Sequence, residues 1–215
     1  MSTKDLVIMA DINAENERVA ESIRQELRRK GIYAVNIIGA PGAGKTSCLL
    51  RVISGLEGIR CSVIEGDIQS NIDSDKLNAL GIEAVQIHTG GACHIDVALI
   101  KNTLNKMNLD GVGVLFIENI GNLVCPAEFN IGETLKMLIV TVADGADKPY
   151  KYPLAFEKAG VILLNKADLM PYVDFDMEYF TKGIRALNPE APIFVVSAKS
   201  GEGFEEVCAW LKAKI

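Results

Sequence analysis

No run of apolar residues in these 215 positions is long enough to span a bilayer. The longest, such as Leu138–Ala143 and Val161–Leu164, fall far short of the ~18 residues a membrane helix needs and read as buried strands. The first residues, Met1-Ser-Thr-Lys-Asp-Leu6, lack the charged, apolar and cleavage regions of a signal peptide, so a cytoplasmic location is expected. Clustered positive charge is scarce too. Beyond Arg28-Arg29-Lys30 there is no such cluster, and the net charge is −6. That triplet ends a helical pattern, where it suits the helix dipole, so neither nucleic-acid nor membrane partners are expected. Cysteine is present in an odd count of 5, which argues against a disulfide framework in a cytosolic chain. Internal repeats and low-complexity tracts are absent. What the chain does hold is 49% hydrophobic residues, enough for a sizeable core in one domain.

The apolar pattern alternates between two kinds of segment. Val19, Ile23 and Leu27, four apart, predict a helix over about 13–30. Short apolar strands are predicted at Tyr33–Ile38, Cys61–Ile64, Ala84–Ile87, Gly113–Ile117, Met137–Val142, Val161–Leu164 and Ile193–Val196. Helical patterns lie at Lys45–Ser54, Asp73–Leu80, His94–Met107, Asp176–Leu187 and Phe204–Lys214. Near-continuous apolar strands between helices imply an α/β fold, a mostly parallel sheet flanked by helices in three layers. The expectation is one domain over residues 1–215.

Gly39-Ala-Pro41-Gly42-Ala43-Gly44-Lys45-Thr46 follows the first strand and opens a helix, the context a P-loop requires. In such a loop, with Ser47 after it, backbone N–H groups wrap phosphates, Lys45 meets the β/γ-phosphates and Thr46 a magnesium ion. Asn165-Lys166-Ala167-Asp168 follows another apolar strand. A carboxylate there can accept hydrogen bonds from the ring N–H and exocyclic amine of guanine, which adenine lacks at those positions. Ser197-Ala198-Lys199 stands in the equivalent place after the last strand and is similar to the final base-contacting loop of GTPases, where a backbone N–H meets the base oxygen. Ligands of open α/β sheets bind at the C-terminal strand ends, so these segments converge on one edge. Asp67 and Glu118 end two further strands and are the candidate acids for Mg²⁺ and hydrolysis. Asp73 and Asp75 are either further acids or helix caps. Glu118-Asn-Ile-Gly121 stands where many GTPases carry DxxG, with the Gly121 amide placed to sense a γ-phosphate. No glutamine follows Gly121 to orient water, so slow intrinsic hydrolysis is expected. The reading is a GTP/GDP switch.

Cys93-His94 contains one of only 2 histidines, and Cys125 follows about thirty residues later. Two thiolates and an imidazole suit a borderline-soft divalent ion such as Ni²⁺ or Zn²⁺. Three ligands do not close a tetrahedral structural site, whereas two chains meeting at a two-fold axis would double the count. Cys48, Cys61 and Cys208 fall in helix or strand patterns and read as core residues, and His88 as structural.

Glu65-Gly66-Asp67, Thr89-Gly-Gly-Ala-Cys93-His94-Ile95-Asp96, Phe116–Pro126, Asp147–Pro153 and Leu164–Asp168 together resemble the HypB family, SIMIBI-class P-loop GTPases that help insert nickel into [NiFe]-hydrogenase. The resemblance runs from about Tyr33 to the C-terminus. It implies metal at Cys93, His94 and Cys125 beside the switch regions, a GTP-favoured homodimer, and transfer among nickel-delivery proteins and the hydrogenase large subunit. It would also place Lys148 and Lys151 near the nucleotide and the partner chain. The related urease-accessory GTPases carry Cys-Pro-His, which this chain does not. Before Tyr33 there is neither the N-terminal cysteine motif nor the histidine-rich stretch of many bacterial members, so nickel storage is not expected. Ser70 stands where threonine is usual, Lys76 where arginine is, and Ala98 removes a further ligand one turn after His94. The expected function is a GTP-hydrolysing metallochaperone. Alternatives are a sister GTPase serving another metalloenzyme such as urease, a passive metal-binding protein with a structural nucleotide, and a small-molecule kinase, which would have no use for Asn165–Asp168.

Overall fold

The computed structural model describes residues 3–67, 77 and 81–215, with side chains from residue 13 onward apart from that of Asp67. Seven strands, β1 (Tyr33–Gly39), β2 (Cys61–Asp67), β3 (Glu83–His88), β4 (Val114–Glu118), β5 (Leu135–Thr141), β6 (Val161–Asn165) and β7 (Ile193–Val195), form one sheet. Their order is β3-β2-β4-β1-β5-β6-β7, and every pairing is parallel. Strands β4, β5 and β6 are buried at every position and β1 at all but its first, as a sheet covered on both faces requires. The α/β, three-layer architecture read from the sequence is the one observed.

Helices cover the two faces in separate sets. The helices α1 (Thr3–Arg29) and α3 (Val97–Leu104) share a core with Ala34, Leu115 and Ile117. On another core, α2 (Lys45–Gly55) and α8 (Phe204–Lys212) join Val35, Ile37 and Phe116. Successive strand residues thus point to opposite layers, the period-two alternation of a pleated strand. A third core gathers Ile38, Leu138 and Leu164 under α6 (Pro153–Lys158) and α7 (Met177–Leu187).

Most elements fall where the pattern put them, and the differences have local causes. The N-terminal helix begins at Thr3 rather than near residue 13. The helix predicted at His94–Met107 begins only at Val97, because the Asp96 side chain caps it by accepting from the Ala98 N–H at 2.7 Å. Cys93 and His94 therefore sit in a loop. Asp176 likewise caps α7, accepting from the Tyr179 N–H at 2.8 Å. The pattern predicts none of the short helices α4 (Cys125–Glu128), α5 (Lys148–Lys151) and α6; each has proline at its first turn, where a missing N–H costs nothing. The helix expected at Asp73–Leu80, together with Ser70, Asp73, Asp75 and Lys76, lies outside the described residues apart from the buried Leu77.

Candidate functional site at the C-terminal sheet edge

A parallel sheet brings the C-terminal ends of its strands to one edge, and here that edge carries Gly39, Asp67, Glu118, Asn165 and, just past β7, Ser197. The loop 40–44 leaves β1 and enters α2 through Gly44, at φ 87°. A side chain there would lie 2.6 Å from Asn165 Nδ2, so both the left-handed backbone and the close approach demand glycine. Asn165 Nδ2 donates to the Ala43 carbonyl at 2.9 Å, and its Oδ1 accepts from the Ala198 N–H at 3.0 Å. Lys166, the one non-glycine residue with positive φ among those described, reaches back to donate to the Gly42 carbonyl at 2.7 Å. One asparagine and one lysine thus tie the β1, β6 and β7 loops together.

Asp168 is held in the same frame. Its Oδ1 accepts from Ser197 Oγ at 2.7 Å, and its Oδ2 faces Lys199 Nζ at 3.9 Å. An ionised carboxylate has about four lone-pair positions, so Ser197 leaves capacity for further donors. Beside it opens a cleft of about 280 Å³ lined by Gly44, Ser47, Asn165, Asp168, Ala198 and Lys199. Pro41 and Gly42 are exposed on the loop that borders it.

At the phosphate end, Thr46 Oγ1 donates to Glu118 Oε1 at 2.9 Å, and Lys45 Nζ donates to the Ala40 carbonyl at 3.5 Å. Glu118 is buried. Two hard oxygen atoms from different elements therefore converge beside the P-loop, the donor chemistry Mg²⁺ prefers. Strand β2 delivers Asp67 to the same edge. Gly121 lies against the P-loop: a Cβ on it would come within 3.0 Å of Pro41 atoms.

Beyond Glu118 the edge carries sulfur. Cys93 Sγ lies 2.9 Å from Cys125 Sγ and 3.5 Å from His94 Nδ1, and the ligand atoms of all three lie within 4.8 Å of one another. Cys93 is exposed, while His94 is half-buried and its ring stacks on Phe129 at 4.5 Å. Hydrogen bonding to Cys125 and partial loss of hydration hold the Cys93 thiol above its usual range. Burial pushes the His94 imidazole below its ordinary value against the opposing charges of Asp96 and Glu128, which favours the neutral ring, the form able to bind a metal. The remaining cysteines are of another kind. Cys48 is buried and its thiol is pushed up to about 12, by burial first and then by Glu118. Burial likewise raises Cys61 to about 11, and Cys208 is buried too. All three are core thiols, as expected, and His88 stands exposed at the end of β3.

Residues to which the motif reading assigned no role hold the sulfur-bearing segments in place. Asn119 Oδ1 accepts from the Ile95 N–H at 3.1 Å, and Asn119 Nδ2 donates to Asn36 Oδ1 at 3.2 Å. Asn36 in turn donates to Glu133 Oε1 at 3.3 Å, which pairs with Lys136 Nζ at 2.6 Å. Lys136, buried within the apolar β5, donates at 2.9 Å to the Phe129 carbonyl just past α4. A largely buried polar chain thus runs from Ile95, next to His94, to Phe129, just past the helix that Cys125 opens. A charged residue inside an apolar strand, three residues after a glutamate, was its sequence signal. Asn122 belongs to the same region: its Nδ2 donates to the Cys93 carbonyl at 3.1 Å and its Oδ1 accepts from the Val124 N–H at 2.8 Å. Lys148 and Lys151 are engaged locally, over the Tyr152 ring at 5.1 Å and with Asp147 at 2.5 Å.

The model of the CobW/HypB/UreG nucleotide-binding domain matches residues 33–195. A hydrogenase maturation factor HypB from Escherichia coli (strain K12) is 41% identical over 210 residues, spanning 97% of this chain and 72% of that protein. Its counterpart from Azotobacter vinelandii is 44% identical, spanning 96% and 69%. The crystal structure of HypB from Helicobacter pylori in complex with nickel superposes with a TM-score of 0.89 at 33% identity, over 93% of this chain and 94% of that one.

Proposed function

The chain belongs to the CobW/HypB/UreG nucleotide-binding family, and we propose that it is a GTP-hydrolysing metallochaperone that carries nickel, or zinc, for [NiFe]-hydrogenase maturation. The observation that carries this reading is the convergence of Cys93, His94 and Cys125 within 4.8 Å, on the sheet edge that also bears the P-loop and Asn165–Asp168. Residues 1–215 act as one G domain.

In this reading the cleft beside Asp168 takes the guanine ring, with the carboxylate accepting from its ring N–H and amine. Backbone N–H groups of Gly42 to Ser47 surround the phosphates, and the Lys45 charge meets the β/γ-phosphates. Thr46 and Glu118, whose oxygens stand 2.9 Å apart, would hold Mg²⁺ together with Asp67. Bound there, the ion would supply neutralisation of charge on the phosphate oxygens. Gly121, packed on Pro41, reports whether a γ-phosphate is there. Hydrolysis without a partner is slow, because no glutamine follows Gly121. The cargo ion binds Cys93, His94 and Cys125 with loss of thiol protons, so its affinity rises with pH. GTP favours a homodimer in which two such triplets approach, and hydrolysis releases the order that holds the cargo for delivery to the hydrogenase large subunit.

Ni²⁺ titration of the GTP-, GDP- and nucleotide-free forms, with sedimentation, tests this on wild type and Cys93→Ala. The expected outcome is tighter Ni²⁺ binding or dimerisation in one nucleotide state, lost in Cys93→Ala. Identical binding in all three states would leave a passive metal-binding protein.

A further inference from the structure

The Cys93 segment is anchored at two points that differ in what lies behind them. At Ile95 the anchor is Asn119, whose bonds lead into the buried Asn36–Glu133–Lys136 chain and away from the nucleotide loop. At Cys93 it is Asn122. Its backbone N–H donates to the Gly39 carbonyl at 3.0 Å, where β1 ends and the P-loop begins, and the two residues form an isolated antiparallel bridge. Its side chain donates to the Cys93 carbonyl and accepts from the Val124 N–H, one residue before Cys125. A single residue therefore bonds the root of the P-loop, the first thiol segment and the second. The preceding residue, Gly121, sits so close that a Cβ on it would come within 3.0 Å of Pro41 of the P-loop, so movement of that loop bears on residues 121–122.

We propose that Asn122 is the positioning residue that couples nucleotide state to the metal cluster: displacement of the P-loop and of residues 121–122 is delivered through its carboxamide to Cys93 and to the turn bearing Cys125. Cys93 is thereby shifted relative to His94, whose neighbour Ile95 is fixed by Asn119. The spacing of the two thiolates, and with it the grip on the ion, follows the nucleotide. The inference rests on the metallochaperone reading above and adds the residue through which its two sites communicate. It differs from a stabilising role in one respect. A structural asparagine would support metal binding equally in every nucleotide state, whereas a coupling residue changes the ratio between states.

The test compares wild type, Asn122→Ala and Asn122→Asp, each titrated with Ni²⁺ in the GTP-bound and GDP-bound forms by thiolate-to-metal absorbance. The aspartate variant retains the acceptor for the Val124 N–H and so keeps the turn if alanine perturbs it, while it replaces the donor to the Cys93 carbonyl with a charged oxygen whose effect on the ion is common to both forms and cancels in the ratio. A coupling on the order of 5–150-fold is the usual range for linked sites. In both variants the ratio of Ni²⁺ affinities between the two forms is expected to fall to within about twofold of one. By linkage, the Ni²⁺ effect on GTP against GDP affinity falls with it. If Ni²⁺ affinity drops by the same factor in both forms and the ratio persists, Asn122 is structural and the proposal is overturned while the metallochaperone reading stands. If wild type itself shows a ratio of one, the coupling reading fails and the relay fails with it.

Discussion

Where the sheet edge bears Asp168, the side chains of Asn165, Lys166 and Ser197, from the two loops after β6 and β7, bond directly to the loops they face, and the Asp168 carboxylate is itself held. At the thiol end, the anchors reach only the backbone of the segments around Cys93 and Cys125 and not the thiols themselves. Asn165 spans Ala43 and Ala198, Lys166 clasps Gly42, and Ser197 fixes Asp168. Cys93, by contrast, is exposed and tethered by its carbonyl, and the anchors of its neighbourhood grip Ile95 N–H and the Phe129 carbonyl. The difference matches two tasks. Selecting one base calls for donors and acceptors fixed before the ligand arrives. Taking up and releasing an ion calls for accessible ligands whose spacing can change without unfolding what lies beneath.

The largest effect should come from breaking the rigid end. Asp168→Asn is expected to lower GTP affinity by about 10⁴-fold, the scale on which a site built for particular hydrogen bonds rejects a mismatch. Calorimetry with GTP would measure it, and Ni²⁺ affinity of the nucleotide-free protein should stay within a few-fold. A parallel collapse of Ni²⁺ binding would mean the two ends are one unit.

Next in size is the foundation of the soft end. Lys136→Met leaves Glu133 buried without its partner and should destabilise the fold by about 3–5 kcal/mol in urea unfolding. Combining it with Glu133→Gln should recover most of that loss, since the cost lies in the unpaired charge rather than in the missing pair. Recovery by less than half would show that Lys136 stabilises chiefly through the Phe129 carbonyl.

The same pair predicts a pH dependence. Burial alone would raise the Glu133 pKa, but Lys136 and the Ile131 N–H outweigh it and hold the group below its ordinary 4.5. A depressed folded-state pKa gives stability that is present above the unfolded value and lost as pH falls through the folded one. Unfolding should therefore become easier from about pH 4.5 downward in wild type, and this component should vanish in the double variant. An unchanged acid limb would assign the sensitivity to other carboxylates.

The smallest effect is sought at the cluster's rim. Phe129→Leu removes the ring stacked on His94 and should cost about 0.5–1.5 kcal/mol in metal binding, a shift of about 2–10-fold. GTP affinity should not move. A larger loss would make the soft end more preorganised than its exposure implies.

Much of this arrangement was legible beforehand, for identifiable reasons. Strands such as Val161–Asn165 announced themselves because a doubly covered parallel strand is apolar at every position, leaving little ambiguity in the pattern. The P-loop was legible because its glycines and lysine are dictated by local backbone geometry. Cys93 and Cys125 were legible as chemistry, but the helix boundary beside them was misread, since an apolar periodicity does not show that Asp96 interrupts it with a cap. Asn36, Asn119, Glu133 and Lys136 could not be assembled from the sequence at all. They lie up to 100 positions apart, as 136 against 36, and only the pairing of β1 with β4 and β5 brings them together.

The sequence by itself determined the layer architecture and singled out Gly39–Thr46, Asn165–Asp168, Cys93, His94 and Cys125 as the candidates for nucleotide and metal. Each depends on residue type within a short window, where propensity, φ preference and donor chemistry are local properties. The tertiary structure alone decided that Cys93 and Cys125 face one another across 2.9 Å, and that Asn122 links them to Gly39. Those are distances between segments remote in the chain. They are set by strand order and by a buried polar network whose members have meaning only as partners.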